Sequence, residues 1–147
     1  MTDVAVIDAG GANFGSVCYA LERVGARPRI VRDADGLRGM PRVLLPGVGA
    51  AAPAMALLRE RGIGDVLRRL EAPLLGICLG MQLLFDGSEE GDVACLGLLP
   101  GRVRKLQVWK NPVTGEVLET KSGNNKKLKA WKEEYGEKFV STWLQKD

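Results

Sequence analysis

The sequence predicts an α/β fold, a mostly parallel sheet with helices on both faces, followed by a small α+β module of one hairpin and two helices. Short apolar runs alternate with helical patterns over roughly the first hundred residues, which is typical of parallel sheets. The later residues change to a hairpin-and-helix pattern. The basic residues change type at the same point, because residues 1–104 contain twelve Arg and no Lys, whereas residues 105–147 contain nine Lys and no Arg.

Apolar runs bounded by turn residues predict the elements of the first segment. Four runs have the length of buried strands. They occupy residues 4–7, 28–31, 42–45 and 73–77. Four stretches with apolar residues at helical spacing predict helices. They occupy residues 13–24, 51–61, 63–70 and 79–85. We expect a polar loop over residues 86–92 and a further strand starting within residues 97–106.

The second segment predicts a hairpin, a polar loop and two helices. The hairpin surrounds a Pro-Val-Thr-Gly turn, and Gly136 separates the helices. The strands, the loop and the helices occupy residues 108–111, 116–120, 121–125, 126–135 and 137–145. We expect Trp109, Trp131 and Trp143 to be core residues rather than platforms for stacked bases, since they recur with other apolar residues at hairpin or helical spacing.

Composition excludes several classes of protein. The net charge of +3 is too small to indicate nucleic acid by itself. Cys18, Cys78 and Cys95 follow no disulfide or metal spacing, so we expect a reduced cytoplasmic setting with no cofactor and no metal. No apolar run reaches membrane-spanning length, and we expect no membrane partner and no signal peptide.

The strongest chemical signal is the pentapeptide Gly76-Ile77-Cys78-Leu79-Gly80, which follows an apolar strand and opens a helix. Small residues on both sides of a nucleophile are typical of a nucleophile elbow. The helix N-terminus would favour the thiolate of Cys78, and the N–H of Leu79 would help to bind an oxyanion. The alternative is a buried structural cysteine at a strand–helix turn.

Four blocks of the first segment carry a resemblance to a known family. They are VAVIDAGGANFGS (4–16), LLPGVG (44–49), PLLGICLGMQLLF (73–85) and GLLPGRV (97–103). Residues 1–106 resemble the N-terminal half of class I glutamine amidotransferases, in particular the glutaminase subunit of imidazole glycerol phosphate synthase, of histidine biosynthesis. The resemblance implies that Cys78 attacks the side-chain amide of glutamine. It further implies that Gly47, Val48 and Gly49 supply a second oxyanion donor, that Gln82 lies beside the glutamine, and that ammonia passes to a cyclase barrel partner.

No residues of this sequence match the catalytic partners that the family gives to its cysteine. Members of the family take their catalytic His and Glu from a second half, which does not follow residue 106, and the chain contains no His. A thiol nucleophile needs a base to form its thiolate and an acid to protonate the leaving ammonia. We therefore expect a truncated glutaminase-like sheet with negligible activity and an open edge strand.

Residues along the whole second segment, 107–147, carry another resemblance. They are WKNP (109–112), TGE (114–116), ETK (119–121), GN (123–124), LK (128–129), WK (131–132) and Trp143. The segment resembles the C-terminal DNA-binding domain of histone-like nucleoid-structuring proteins, in the MvaT-type branch. The resemblance implies A·T-rich double-stranded DNA as the partner and association with the nucleoid.

A small Gly-Asn loop between lysines is the candidate DNA-binding site. Such a loop can enter the narrow minor groove of A·T-rich DNA, which has a strong negative potential and lacks the guanine amino group. Flanking lysines could contact phosphates. The candidate residues are Lys110, Lys121, Ser122, Gly123, Asn124, Lys126, Lys127 and Lys129. The alternative is a solvated loop that carries lysines without a partner.

Three hypotheses for the whole chain remain open. The first is a hybrid of an inactive glutaminase half and a DNA-binding module. The second is a working glutaminase subunit that supplies ammonia to a cyclase, against which the absence of His argues. The third is a DNA-binding regulator whose first segment forms a dimer interface.

Overall fold

The computed structural model describes residues 1–121 and 123–145, which form two compact units. The units are Met1–Val103 and Arg104–Asp147. The boundary lies one residue before the change from Arg to Lys in the sequence. The clusters of buried apolar residues respect this boundary, since two clusters belong to the first unit and one belongs to the second.

A four-stranded parallel sheet forms the centre of the first unit. Its strands are β1 (Thr2–Ile7), β2 (Ala26–Val31), β3 (Val43–Gly47) and β4 (Leu74–Cys78). Their order across the sheet is β2-β1-β3-β4, and every pair is parallel. The residues of β3 are buried throughout, as expected for a central strand of a parallel sheet covered on both faces.

Helices cover both faces of this sheet, which confirms the predicted α/β fold class. They are α1 (Phe14–Arg23), α2 (Ala51–Glu60), α3 (Ile63–Arg68) and the one-turn α4 (Leu79–Gln82). Alternate residues of β1 and β3 form a core with α2 and α3. The other alternate residues of these strands, Val4, Val6 and Leu44, pack against α1.

Residues 85–103 form a second sheet, in which the predicted strand starting within residues 97–106 is confirmed and the other strands were not predicted. Its strands are β5 (Phe85–Ser88), β6 (Val93–Ala94) and β7 (Leu99–Val103), in the order β6-β5-β7. The expected helix over 79–85 is wrong beyond Gln82, and the expected polar loop over 86–92 is wrong at its start. The carbonyls of Leu83, Leu84 and Phe85 accept hydrogen bonds from the N–H groups of residues 96–99, so they are not available to continue α4.

The second unit consists of a hairpin and two helices. They are β8 (Gln107–Lys110), β9 (Val117–Thr120), α5 (Lys126–Tyr135) and α6 (Glu137–Ser141). The predicted hairpin and first helix are confirmed, but the second helix ends before the predicted residue 145. After it, Leu144 forms an antiparallel bridge with Trp109, and the N–H of Gln145 donates to the Val108 carbonyl at 2.8 Å. This backbone pairing along β8 ends the helix.

The core of the second unit is aromatic, as predicted. Trp109, Trp131 and Trp143 are all buried, together with Leu128 and Val140. The Trp131 and Trp143 rings meet edge to face at 5.6 Å between centroids, an arrangement that aromatic pairs favour. Among the described residues, no helix of either unit combines the length and hydropathy needed to cross a membrane.

Candidate functional site

Cys78 is the last residue of β4 and directly precedes α4. Its backbone has φ 53° and ψ −119°, a combination that non-glycine residues rarely adopt. Such a conformation costs about 1–3 kcal/mol and persists only where the surrounding structure determines it. Among the three cysteines, Cys78 is exposed, Cys18 is half-buried and Cys95 is buried. Burial raises the pKa of the Cys95 thiol, which makes Cys95 a poor nucleophile.

Two glycines allow α4 to pack directly against the sheet beside Cys78. A Cβ atom on Gly80 would lie 1.7 Å from the Leu45 carbonyl oxygen, and one on Gly76 would lie 2.6 Å from the Met81 Cα. Both distances are too short for any side chain. The glycines on either side of the cysteine therefore have a structural reason, which is the close approach of strand and helix.

The ends of β3 and β4 bring several predicted site residues together. Gly47 is the parallel partner of Cys78, and a Cβ atom on Gly47 would lie 3.2 Å from the Leu79 Cβ. Val48 is exposed directly after β3, and Gly49 follows it with φ 91°. Gln82 is half-buried at the end of α4. Because α4 has a single turn, it offers Cys78 far fewer aligned peptide dipoles than the expected seven-residue helix.

A crevice of about 380 Å³ lies at the carboxyl ends of β1 and β3 and was not predicted from the sequence. Gly10, Gly11, Val48 and Gly49 belong to its lining. The order β2-β1-β3 makes this the point where the chain reverses direction across the sheet, and ligands of open α/β sheets bind at such points. The sequence signal was the Asp-Ala-Gly-Gly turn after the first strand.

Asp8 anchors the start of this turn. Its carboxylate accepts hydrogen bonds from the N–H of Gly10 at 3.1 Å and from Arg32 Nε at 3.2 Å, and it lies 3.5 Å from a nitrogen of Arg61. Burial alone would raise the pKa of Asp8, but the Gly10 hydrogen bond and the two guanidinium groups outweigh burial, so the pKa is lowered from 3.8.

The predicted DNA-binding residues of the second unit surround an exposed loop between β9 and α5. Lys121, Gly123 and Asn124 are exposed in the loop, and Ser122 lies outside the described residues. Within the described part of the chain, a Cβ atom on Gly123 would meet no atom within 4 Å beyond its sequence neighbours, and its φ is not in the left-handed region. The fold itself therefore does not require glycine at this position.

The predicted lysines fall into two groups. Lys110, Lys121, Lys126 and Lys129 are exposed and form no ion pair within residues 1–121 and 123–145. Lys127 differs, because its ammonium pairs with the Glu116 carboxylate and lies 5.9 Å from the centre of the Trp131 ring. The structure thus gives Lys127 a partner within the unit itself.

Two asparagines that sequence reasoning did not single out for a role organise this surface. The Asn125 side chain caps α5 by accepting from the N–H groups of Lys127 at 2.9 Å and Leu128 at 3.4 Å. The buried Asn111 side chain accepts from the N–H of Val113 at 2.9 Å, which shapes the hairpin turn. An Asn before a helical pattern and an Asn-Pro pair in a turn were the available signals.

The parallel sheet and the helices that cover it allow the fold of this chain to be compared with solved structures. A solved structure described as a glutamine amidotransferase matches with a TM-score of 0.58, covering 79% of this chain and 69% of that chain. At 24% sequence identity, this likeness concerns the fold alone.

Curated relatives give a more particular similarity. The chain is 68% identical over 106 residues to the imidazole glycerol phosphate synthase subunit HisH of Xylella fastidiosa, and 69% identical over 106 residues to that of Xanthomonas axonopodis pv. citri. Each alignment covers 72% of this chain and 53% of the relative, so the chain spans about half the length of these relatives. The resemblance predicted for the first segment is confirmed.

The second unit matches a different family. Residues 107–143 match the C-terminal domain of the bacterial xenogeneic silencer MvaT. The match begins at residue 107, and the alignments to the HisH relatives are 106 residues long. The resemblance predicted for the second segment is confirmed.

Proposed function

We propose that the chain is a hybrid in which a minor-groove DNA-binding module follows a catalytically incomplete glutamine amidotransferase half. The observation that carries DNA binding is the exposed Gly123-Asn124 loop, with exposed lysines before and after it that form no ion pair among the described residues. The join is supported by two unrelated similarities on two compact units, with the change from Arg to Lys at their boundary. Association with the nucleoid would follow from this DNA binding.

The shape of the loop supports contact with the minor groove. Because no other atom of residues 1–121 and 123–145 fills the space beside Gly123, a DNA groove wall could approach its backbone closely. Asn124 offers an amide that can hydrogen-bond the acceptors on the floor of an A·T-rich groove. Lys121 and Lys126 flank the loop in sequence, and Lys110 and Lys129 add positive charge for phosphates.

Inosine substitution tests the choice of groove. Replacing G·C by I·C pairs removes the guanine amino group from the minor groove and leaves the major-groove pattern of hydrogen-bonding groups unchanged. We expect fluorescence anisotropy to show tighter binding to A·T-rich than to G·C-rich duplexes, with I·C duplexes close to the A·T-rich level. If I·C duplexes instead bind like G·C duplexes, recognition does not occur in the minor groove.

Single lysine variants test the phosphate contacts. We expect Lys121→Ala and Lys126→Ala each to weaken binding and to reduce the slope of log affinity against log salt concentration by about 1. Lys138→Ala is the matched control, since it removes the same charge from α6 and should leave the slope nearly unchanged. Equal effects for all three variants would mean that only overall charge matters.

The glutaminase half keeps the shape around a nucleophile without a complete set of catalytic groups. The strained, exposed Cys78 is consistent with a nucleophile elbow, in which the N–H of Leu79 and the segment from Gly47 to Gly49 would bind an oxyanion. The resemblance assigns the base and acid roles to a second half. The sequence contains no His that could take over those roles.

A glutamine hydrolysis assay separates this proposal from its alternative, a glutaminase that supplies ammonia to a cyclase partner. The exposed position of Cys78 favours the alternative. We expect no glutamate formation above the level of the Cys78→Ser variant, with or without the cyclase barrel subunit from a Xanthomonas relative. A rate that depends on Cys78 would show that the chain is a working glutaminase.

A further inference from the structure

The two edges of the main sheet differ in their protection. At one edge, β2 has Pro28 in its middle, which has no N–H to offer, and Arg27 and Arg29 pair with Asp3 at 3.5 and 3.0 Å. Proline and charged residues on an edge strand prevent pairing with another chain. At the other edge, β4 lies within residues 72–85, which contain no charged residue.

The backbone of β4 is available for a further strand. The Pro73 carbonyl accepts a hydrogen bond from the N–H of Val43 at 3.0 Å, and in the parallel register residues 73, 75 and 77 face β3. The backbone groups of Leu74 and Gly76, and the N–H of Cys78, therefore point to the opposite side, whereas the Cys78 carbonyl belongs to the start of α4. No strand of residues 1–121 and 123–145 pairs with β4 on that side.

The side chains on one face of β4 are also uncovered. Leu75 is 60% exposed and Ile77 is 39% exposed, although their neighbours in register on β3, Leu44 and Pro46, are buried. The helix α1 packs on Leu44 but leaves these two side chains accessible. An uncharged strand edge beside an apolar strip is typical of an interaction surface.

We propose that β4 pairs in antiparallel fashion with β4 of a second copy of this chain, about a two-fold axis at Gly76. In this register the outward N–H and C=O of Gly76 bond to Gly76 of the second copy, and the Leu74 carbonyl accepts from the N–H of the partner's Cys78. Leu75 then lies opposite the partner's Ile77 in a non-hydrogen-bonded pair, where side chains of antiparallel strands are closest. The exposed strip of each copy thereby covers that of the other.

The absence of charge makes this edge suited to pairing with a second copy. A two-fold interface places each residue near the same surface of its partner, so any charge at its centre meets a like charge. Residues 72–85 meet the requirement for self-pairing because they carry none. Gly76 at the axis adds no side chain that could clash with its copy.

Each dimer would carry two DNA-binding modules. Linked modules bind far more tightly than single ones when both can reach the duplex. This consequence rests on the proposed DNA binding, whereas the dimer itself does not.

Sedimentation or light scattering of the full chain without DNA tests the dimer. We expect a mass of twice 15.9 kDa that falls to one chain on dilution. Leu75→Lys places like charges in the interface and should make the chain monomeric at concentrations where the unchanged chain is dimeric. The matched control Ile30→Lys alters a 43%-exposed residue on β2 at the other edge and should leave the dimer intact.

Cysteine cross-linking tests the register. In a Cys78→Ser background, the double variant Leu75→Cys, Ile77→Cys should form an intermolecular disulfide on mild oxidation, because directly opposed residues lie within disulfide reach. Neither single variant should form the disulfide. With one new cysteine per chain, the cysteine of one copy is not opposite the cysteine of the other copy, which lies two residues further along the partner strand.

Several results would overturn the proposal. They are a monomer at every concentration, a dimer that Leu75→Lys leaves unchanged, cross-linking that is equally efficient in the single variants, and open-ended aggregates without a defined dimer. Loss of DNA binding with an intact dimer would instead contradict only the proposed function.

Discussion

At the end of β1, one carboxylate connects three parts of the first unit. Asp8 links its own turn, Arg32 after β2 and Arg61 after α2, and Arg61 also donates to the Asp8 carbonyl at 2.9 Å. The Asp8 side chain is only 15% exposed, so these contacts are less screened than those of a surface ion pair. The residue therefore contributes to stability through its charge.

Asp8→Asn should lower the free energy of unfolding of the first unit by about 1–2 kcal/mol at neutral pH, because charge-assisted hydrogen bonds are lost. The pKa of Asp8 is lowered on folding, so its contribution is present above 3.8 and is lost as pH falls through the lowered value. Urea unfolding followed by circular dichroism should show the difference between the two proteins shrinking below pH 3.8.

The surface variant Asp35→Asn is the control for Asp8. Its carboxylate is 82% exposed beside Arg38, and pairs of this kind contribute little. We expect Asp35→Asn to leave the free energy of unfolding almost unchanged, both at neutral pH and below pH 3.8. Equal losses in the free energy of unfolding for Asp8→Asn and Asp35→Asn would mean that the contacts of Asp8 stabilise the fold no more than an exposed ion pair does.

Gly80 gives a steric prediction at the same scale. Gly80→Ala should destabilise the first unit by about 3 kcal/mol or more, because the new methyl group would lie 1.7 Å from the Leu45 carbonyl oxygen and force α4 away from the sheet. Gly64→Ala is the control. Its Cβ would meet neighbours at 3.8 Å in α3, where alanine is the better helix former. Thermal unfolding of both variants measures the difference, and a tolerated Gly80→Ala would contradict the close packing.

At the scale of the element, α5 depends on its first residues. Its N-cap Asn125 satisfies two N–H groups that have no partner within the helix, and its exposed face carries Lys126 and Lys129. The buried face places Leu128 and Trp131 in the aromatic core. The same helix thus contributes to the core of the second unit and exposes Lys126 and Lys129 to solvent.

Asn125→Ala should destabilise the second unit by about 1 kcal/mol, the usual effect of removing an N-cap side chain. Tryptophan fluorescence during denaturation reports this, because all three Trp belong to this unit. Ala130→Gly, at an exposed position inside α5, should have a similar effect through helix propensity. Lys138→Ala should have almost none. A loss confined to Ala130→Gly would show that the cap does not contribute.

At the scale of the whole molecule, the described residues form two units, and each unit has its own clusters of buried apolar residues. The aromatic cluster includes only residues after 108, and the two clusters around the parallel sheet include only residues before 99. One unit has an open strand edge, and the other is a small module with a closed aromatic core. Their stabilities should therefore be independent.

Unfolding of the full chain should occur in two transitions. Tryptophan fluorescence should follow the second unit alone, whereas far-ultraviolet circular dichroism should follow both units. Asp8→Asn should move only the transition that fluorescence does not report, and Asn125→Ala should move only the fluorescent one. A single transition with both probes, shifted by either variant, would contradict independence of the units.

Much of this architecture was predictable from local sequence patterns. The parallel strands, α1 to α3, the hairpin and α5 each have their own apolar periodicity and turn residues, and the tryptophan core follows from the same spacing. For the candidate sites, the glycines around Cys78 were recognisable because close packing of strand and helix restricts these positions to glycine. The loop at Gly123 and Asn124 was recognisable instead from its small residues between lysines. The capping role of Asn125 had a signal as well, although sequence reasoning did not use it.

The sequence by itself determined two segments of different character, the class of each fold and the position of Cys78 at a strand–helix turn between glycines. The tertiary structure alone decided where α4 and α6 end, the existence of the sheet over residues 85–103, and the pairing of Lys127 with Glu116. The reason is physical, since these features depend on hydrogen-bond and charge partners that are distant along the chain. The carbonyls after α4 and the edge of β8 find such partners only once the chain has folded.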